Sequence, residues 1–444
     1  MSNRQNIKLH ILGAGPAGLA TGYYAKKKNI TLQLYEGSDR VGGNCKTFVK
    51  GKYRFDTGAH RFHDKHDQVT ADIQKLLGDE LIKVNIPSKI FRNNQHIEFP
   101  LNLMDLLYKL DFFSLFTISY ENIINRIKYK PDPENFKDLA YQTYGRTLSE
   151  FFLINYTKKL WGEDPDSLHI SIAGDRLKNL DLLSVLKQFK GKNNSREHLD
   201  GSFYYPKFGF GIIFDRTRDF IGSENVKLNS AVKEVVHENG KVKQIVYGNN
   251  HVVDVEMVVN SLPINILMKM LNPSPPKNII DIVDSLKYRH LKLCICYLDV
   301  PYFSENASIY FSEEEFPFTR IYEPKNRSRE MAPKEKTCIV IEIPFSPGDK
   351  IDVQPDKKLF EQISSLLVEN KLIEMDKIID HHFINIDYAY PIITCGIDKK
   401  KDTVFSYLNS IKNMYHIGRG AEFRYLHTHT IFYNAQKLIN RLIP

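Results

Sequence analysis

Three glycines near the start of the chain, Gly13, Gly15 and Gly18, are spaced for phosphate chemistry. The first permits a tight turn, the second lets a diphosphate approach bare backbone, and the third lets the following helix lie against the preceding strand. The free N–H groups at the start of that helix favour an anion. Glu36 closes what reads as a second strand from Leu32, where a carboxylate can accept hydrogen bonds from an adenosine ribose. Together these residues point to a dinucleotide. A glycine-rich turn without a ligand is the plainer alternative, but it accounts for neither the acid nor the flanking strand and helix.

Other groups carry less information by themselves. Gly58 and His60 lie on a loop after a short hairpin turning at Gly51; with His63 and His66 close by, a solvated histidine cluster is the plain reading. Phe152 and Tyr156 are four apart and share a helical face, as core aromatics commonly do. The five cysteines are odd in number and scattered, which argues against a disulfide framework, and they show no zinc spacing. Cys294 and Cys296 alternate on a strand and read as core. No metal site is expected.

The elements that must position these groups exceed a single core, since 444 residues predict two or three lobes. Hydrophobic content of 42% and charged content of 26% are ordinary for a globular chain. A net charge of +8 without a long Lys/Arg block does not suggest a nucleic-acid binder; basic groups in a cleft for an anionic substrate fit better. No run of about 18 apolar residues predicts a transmembrane helix, and no signal-peptide pattern leads the chain, so the expected compartment is the cytoplasm. Residues 103–130 have helical periodicity and are expected to pack as a helix pair on the core; docking on a membrane surface would need a denser basic face. A strand turn is expected at Asn93-Asn94, and a last helix from about Thr428.

Arg40-Val-Gly-Gly43 resembles the FAD enzymes that include amine oxidases, protoporphyrinogen oxidase and UDP-galactopyranose mutase. Further blocks resemble UDP-galactopyranose mutase in order and spacing along nearly the whole chain. They are Val41-Gly-Gly-Asn-Cys45, Phe99-Pro-Leu-Asn-Leu103, Tyr156-Thr-Lys-Lys-Leu-Trp-Gly162, Phe318-Thr-Arg-Ile321, Tyr390-Pro391, and Gly418-Arg419 through Phe423-Arg-Tyr425. The resemblance implies an α/β fold, a Rossmann-like FAD-binding domain with a helical insert and an antiparallel-sheet substrate lobe. The FAD-binding domain would comprise residues 1–85, 201–263 and 396–444, the mainly helical insert 86–200, and the substrate lobe with its sheet 264–395.

It also implies site residues. FAD would be held by Gly13, Gly15, Ala17, Gly18, Glu36, Arg40, Gly42, Gly43 and Asn44, with the Val232 backbone at the adenine. His60, Gly418, Arg419 and His427 would lie at the flavin. A nucleoside-diphosphate sugar would place its diphosphate at Arg176, Arg320, Tyr310, Tyr390 and Tyr425, the remaining contacts coming from Asn102, Phe152, Tyr156, Trp161 and Arg424. Guanidinium groups suit a diphosphate because they stay charged and bind its oxygens in a bidentate way. Tyrosine hydroxyls add donors without charge. His60, Arg176 and Arg320 would be the catalytic residues.

The implied reaction interconverts pyranose and furanose rings through a sugar adduct at N5 of reduced flavin, with no net oxidation, in cell-surface polysaccharide biosynthesis. NADPH, NADH or a reductase would supply the electrons, and a homodimer is compatible with the family. Bacterial members tend to carry acidic residues where this chain has His427 and His429, and fungal members an asparagine in place of Thr157. Two alternatives stay open. One is an oxidoreductase of the amine oxidase or protoporphyrinogen oxidase type, including one acting on a sugar nucleotide. The other is a non-catalytic flavin-binding scaffold.

Overall fold

The computed structural model describes residues 8–99, 101, 103–127, 131–177 and 202–442. Asn102 lies outside the described residues, and of Arg176 only the backbone is described.

The strand Leu9–Leu12 lies at the centre of a five-stranded parallel sheet and is buried along its whole length. It pairs with Leu32–Tyr35 on one side and Met257–Asn260 on the other; Val226–Lys227 and Met414–His416 form the edges. Burial on both sides of a strand, here including the polar His10 and Gln33, is what a parallel sheet covered on both faces produces. The helix Pro16–Lys27 packs against Ile212–Ile221 and against the last helix, Thr428–Leu442. The chain therefore returns to its first sheet with its final strand and helix.

A second sheet carries the other half of the site. Its seven strands run, in spatial order, Ile378–Pro391, Tyr288–Leu298, Thr337–Phe345, Arg320–Tyr322, Ser308–Phe311, Ser88–Arg92 and Gln95–Phe99. Neighbours are antiparallel except for the pairing of Ser308–Phe311 with Ser88–Arg92, which is parallel. The last two strands are joined at Asn93-Asn94, both with positive φ (49° and 57°), the conformation that a two-residue hairpin turn demands. Alternation divides the sheet's faces. Ile309, Phe311, Ile321, Ile341 and Ile343 are buried with Leu359, Ile363 and Leu367 of the helix Asp356–Glu369. Cys294 and Cys296 lie in that core too. The opposite face carries Tyr310, Arg320 and Glu342.

The helical insert differs from expectation on one face. Leu106 and Ile118 are buried, but the helix Phe112–Ile127 also exposes Phe112 (84%), Phe116 (62%), Tyr120 (56%), Ile123 (56%) and Ile127 (74%), with Phe113 and Tyr108 beside them. The periodicity is that of two apolar faces, and the core can cover only one.

Candidate active site

A cavity of about 730 Å³ opens between the two sheets and the helical insert. Main chain makes its first wall. Gly13, Gly15, Pro16 and Ala17 line it at the start of the helix Pro16–Lys27, whose N-terminal N–H groups lack helical acceptors. Two close approaches explain the glycines. A Cβ on Gly18 would stand 2.0 Å from the Gly13 carbonyl oxygen, so helix and turn meet only if residue 18 has no side chain. A Cβ on Gly43 would stand 3.0 Å from the Gly15 Cα, so the two loops touch backbone to backbone across the cradle. Glu36 borders the same wall. One carboxylate oxygen accepts from the Ala14 N–H at 2.8 Å, the other from the Ser38 N–H at 3.0 Å and the Ser38 hydroxyl at 2.9 Å.

Side chains make the facing wall, set by strand register. Tyr310 is directly opposite Arg320, and Arg320 directly opposite Glu342. The three form a row across one sheet face, of which Tyr310 and Arg320 line the cavity and Glu342 lies buried beside them. The Glu342 carboxylate grips the guanidinium at both oxygens, with Nε–Oε2 at 2.9 Å and Nη2–Oε1 at 2.8 Å, and also accepts from the Ala59 N–H at 2.8 Å. Burial alone would lower the Arg320 pKa, but the Glu342 carboxylate outweighs it and the net shift is upward. The ion pair fixes Arg320 as a permanent, oriented cation. Phe152 and Tyr156 stack with ring centres 5.2 Å apart, and Tyr156 meets the Tyr310 edge at 5.8 Å. Phe152 sits in a wide π-helical turn, Ser149–Leu153, that re-aims the chain before the helix Ile154–Trp161. Trp161 ends that helix and contacts Tyr390 (5.9 Å) and Tyr425 (5.7 Å). Burial, then Glu342 and Tyr425, push the Tyr390 hydroxyl up to about 12, so it remains a donor.

Between the walls lie His60 and Arg419. Burial and the charges of Arg419, Arg327 and Arg320 push His60 down to about 3, so its ring is neutral. It stacks on Phe210 at 5.1 Å and contacts the Asn44 carbonyl oxygen at 3.1 Å. Arg419 spends its N–H groups on backbone: Nη1 donates to the Ala389 carbonyl (3.0 Å) and Nη2 to the Leu426 carbonyl (2.6 Å). It thereby ties the long strand Ile378–Pro391 to the loop before the last helix. Asn44, Gly418 and His427 complete this part of the lining. The other histidines near His60 in sequence border the same cavity: His63, His427 and His429 line it, His66 packs on His429, and the His427 and His429 rings stack at 5.6 Å.

Five expected contacts fall outside the cavity lining. Gly18 and Gly42 act behind it, the Gly42 N–H donating to the Ala14 carbonyl at 2.9 Å. Arg40 lies over the Phe48 ring at 5.6 Å, and Phe48, not Arg40, reaches the lining. Val232 begins the strand Val232–Glu238 and is buried there, and Arg424 is exposed to solvent. Asn102 and the Arg176 side chain are outside the described residues. Sequence reasoning missed Glu342, and it missed Arg289, which donates to the carbonyls of Leu160, Lys159 and Pro344 and so anchors the helix end carrying Trp161. A glutamate in the strand Thr337–Phe345, where every other residue except Thr337 is apolar, was the one available signal. Among the described residues no cluster of His, Cys, Asp and Glu could hold a metal ion, and no helix is long and apolar enough to cross a membrane.

Known proteins resemble the chain in two segments. Residues 11–76 match the model of an NAD(P)-binding Rossmann-like domain, and residues 151–373, half of the chain, match that of UDP-galactopyranose mutase. Protoporphyrinogen oxidase 2 of Arabidopsis thaliana is 21% identical over 260 residues, 52% of this chain and 51% of that protein. A probable UDP-galactopyranose mutase of Klebsiella pneumoniae is 27% identical over 180 residues, 38% of this chain and 44% of that protein. The chain thus spans about half the length of these relatives. A crystal structure of reduced UDP-galactopyranose mutase superposes with a TM-score of 0.85 at 18% identity, covering 99% of this chain and 96% of that one. That likeness establishes the fold.

Proposed function

The chain belongs to the UDP-galactopyranose mutase family, and from that premise we propose that its cavity interconverts the pyranose and furanose forms of a nucleoside-diphosphate sugar with a bound flavin. The observation that carries this reading is that Tyr310 and Arg320, the latter held by the buried Glu342 behind it, line the same cavity as the glycine cradle. The residues present fit FAD: any side chain on Gly43 would fill the cradle, and the adjoining helix start offers N–H groups to a diphosphate. Gly13, Gly15 and Gly43 would hold that diphosphate, Glu36 the ribose, and His60, Gly418 and Arg419 the flavin ring. A bound flavin, reduced by NADPH, NADH or a reductase, would supply electron-pair chemistry towards the anomeric carbon with no net oxidation.

The chain's own groups do the rest. Arg320 binds the substrate diphosphate and stabilises the charge that develops as the bond from C1 breaks. Glu342 keeps that guanidinium aimed. Tyr390 and Tyr310 donate hydrogen bonds without adding charge. Tyr156, Phe152 and Trp161 cover the base and sugar and exclude water. Neutral His60 takes part through hydrogen bonding, not as a cation. Arg176 joins Arg320 in this proposal on the strength of the family resemblance. The test is incubation of FAD-loaded protein with UDP-galactose and dithionite. Ring interconversion without consumption of reductant is expected; flavin reduction by an amine or a porphyrinogen would instead establish oxidoreductase chemistry.

A homodimer belongs to the same proposal. The seven apolar side chains at and before the helix Phe112–Ile127 are each 56–84% exposed. Together they offer on the order of 900 Å² at typical aromatic areas, close to the roughly 800 Å² per partner of a stable interface. Sedimentation should give a dimer, and Phe112→Glu with Phe116→Glu a monomer.

A further inference from the structure

A second cavity, of about 520 Å³, shares no lining residue with the first. Its walls come from the strand Leu81–Val84 with the following Asn85 and Ile86, from Tyr302, and from the loop Lys325–Glu330. Five of its lining residues are cationic, Lys83, Lys207, Lys325, Arg327 and Arg329, against one carboxylate, Glu330. Among the described residues no carboxylate lies within ion-pair distance of Lys83, Lys207, Arg327 or Arg329. Glu80, whose carbonyl accepts from the Lys207 N–H, commits its carboxylate to Arg216 at 2.9 Å.

Two of the cations are fixed in advance. The Lys325 ammonium donates to the carbonyls of Pro301, Pro333, Lys334 and Lys336 at 2.6–3.0 Å, which staples the loop to two neighbours. Arg327 is 2% exposed; it donates to the His60 carbonyl at 2.6 Å and lies 4.7 Å from the Tyr322 ring centre. Its Nε is buried without a partner. Asp56 feels its charge without touching it, being held by Thr47, Tyr205 and the Phe210 N–H. A guanidinium buried without a contacting carboxylate leaves a positive field, and here that field underlies a pocket rimmed by three more unpaired cations.

We propose that this second cavity binds a phosphate-bearing anion. Lys83, Lys207 and Arg329 would close on the phosphate from the rim, over the fixed charge of Arg327. A carboxylate carries one charge and would leave most of this cluster unanswered; a mono- or diphosphate carries two or three. Ile82, Val84 and Ile86 with the half-exposed Tyr302 ring make an apolar side for the organic part of a phosphate ester. The volume is within the range of ordinary small-ligand pockets.

The test is calorimetric titration of FAD-loaded protein with ADP and with inorganic pyrophosphate. The Arg320→Ala background weakens the contribution of the first cavity, and the triple substitution made in that background isolates the second. Binding should persist there and weaken by at least about tenfold, the loss of one charge-assisted contact, when Lys83→Ala, Lys207→Ala and Arg329→Ala are combined. All three side chains are at the surface, and retained flavin absorbance and an unchanged unfolding midpoint would show that the triple variant folds. The proposal is overturned if the Arg320→Ala protein binds neither probe at millimolar concentration, or if the triple substitution leaves binding unchanged. It is equally overturned if the three cations matter only for sedimentation with phosphatidic acid vesicles, since the partner would then be a membrane surface.

Discussion

The two walls of the main cavity are built in opposite ways. The glycine wall is main chain, and its residues matter for what they lack: Gly18 permits a backbone contact that any Cβ would block, and Gly43, at a φ of +52°, one that a Cβ would crowd. The arginine wall is side chain, and its residues matter for what they bring: Tyr310, Arg320 and Glu342 come from three separate strands and meet only through pairing register. The first kind of site fails by collision, so one methyl group can abolish it. The second fails by lost charge or lost orientation, so damage can be graded and partly repaired.

The largest effect tests the first wall. In Gly18→Ala the new methyl would meet the Gly13 carbonyl at 2.0 Å, backbone against backbone, with no flexible group to yield. A cost above about 4–5 kcal/mol is expected, the range reserved for severe core damage, seen as loss of folded, flavin-retaining protein. An unfolding midpoint within a few degrees of the parent would break the comparison, because the wall would then be as adaptable as its neighbour.

The second wall should separate folding from binding. Arg320→Ala leaves Glu342 buried and unpaired, and breaking such a pair costs about 3–5 kcal/mol. Nucleotide-sugar affinity should fall about 10–100-fold with the charge-assisted hydrogen bonds, while FAD stays bound. Loss of FAD would mean that Arg320 serves the cofactor. Arg320→Met combined with Glu342→Leu sharpens the point. Stability should return, since an apolar pair can replace a buried ion pair, but affinity should not. A double variant that regained affinity would show that the pair is architectural.

His60 lies between the walls and gives a pH signature. It is held neutral down to about 3, and burial keeps His10 and His416 neutral down to about 4. The unfolded chain takes up protons at these histidines near pH 6.5, whereas the folded chain does not. Their folded pKa values are depressed, so stability is retained above about 6.5 and is lost as pH falls towards 3–4, by about 1.4 kcal/mol per pH unit for each histidine. Denaturant unfolding at pH 7 and pH 5 measures this slope, and His60→Asn should make it shallower. An unchanged slope in that variant would mean that His60 already carries a proton in the folded cavity.

The same contrast explains how much was legible beforehand. A main-chain site leaves a local spacing in the sequence, and Gly13, Gly15, Gly18 and Glu36 were readable as such. So was the turn at Asn93-Asn94, where residue type and backbone conformation are directly linked. A side-chain site leaves little. Nothing near Arg320 announces a partner at Glu342, because antiparallel register is set by turns and burial elsewhere in the sheet. Arg289 holds the end of the helix that carries Trp161 from a strand more distant still. The resemblance to known flavoenzymes supplied Arg320, Tyr390 and Tyr425 but not the groups that hold them. The helix Phe112–Ile127 exposes another limit: periodicity marks apolar faces without saying which of two the core will cover.

The smallest expected effect sits at the rim of the side-chain wall. Tyr310 presents its ring to Phe99 (5.3 Å), Tyr156 (5.8 Å) and the Arg320 guanidinium (5.8 Å). Tyr310→Phe keeps these contacts and removes only the hydroxyl, so the unfolding midpoint should move less than when the ring is removed. If the hydroxyl donates to the substrate diphosphate, affinity should fall about fivefold, the worth of one net hydrogen bond of ~1 kcal/mol. Tyr310→Leu removes the ring as well and should cost stability through lost aromatic packing. A Phe variant that binds as tightly as the parent would assign Tyr310 to packing alone, leaving Arg320 and Tyr390 to hold the phosphate from this sheet.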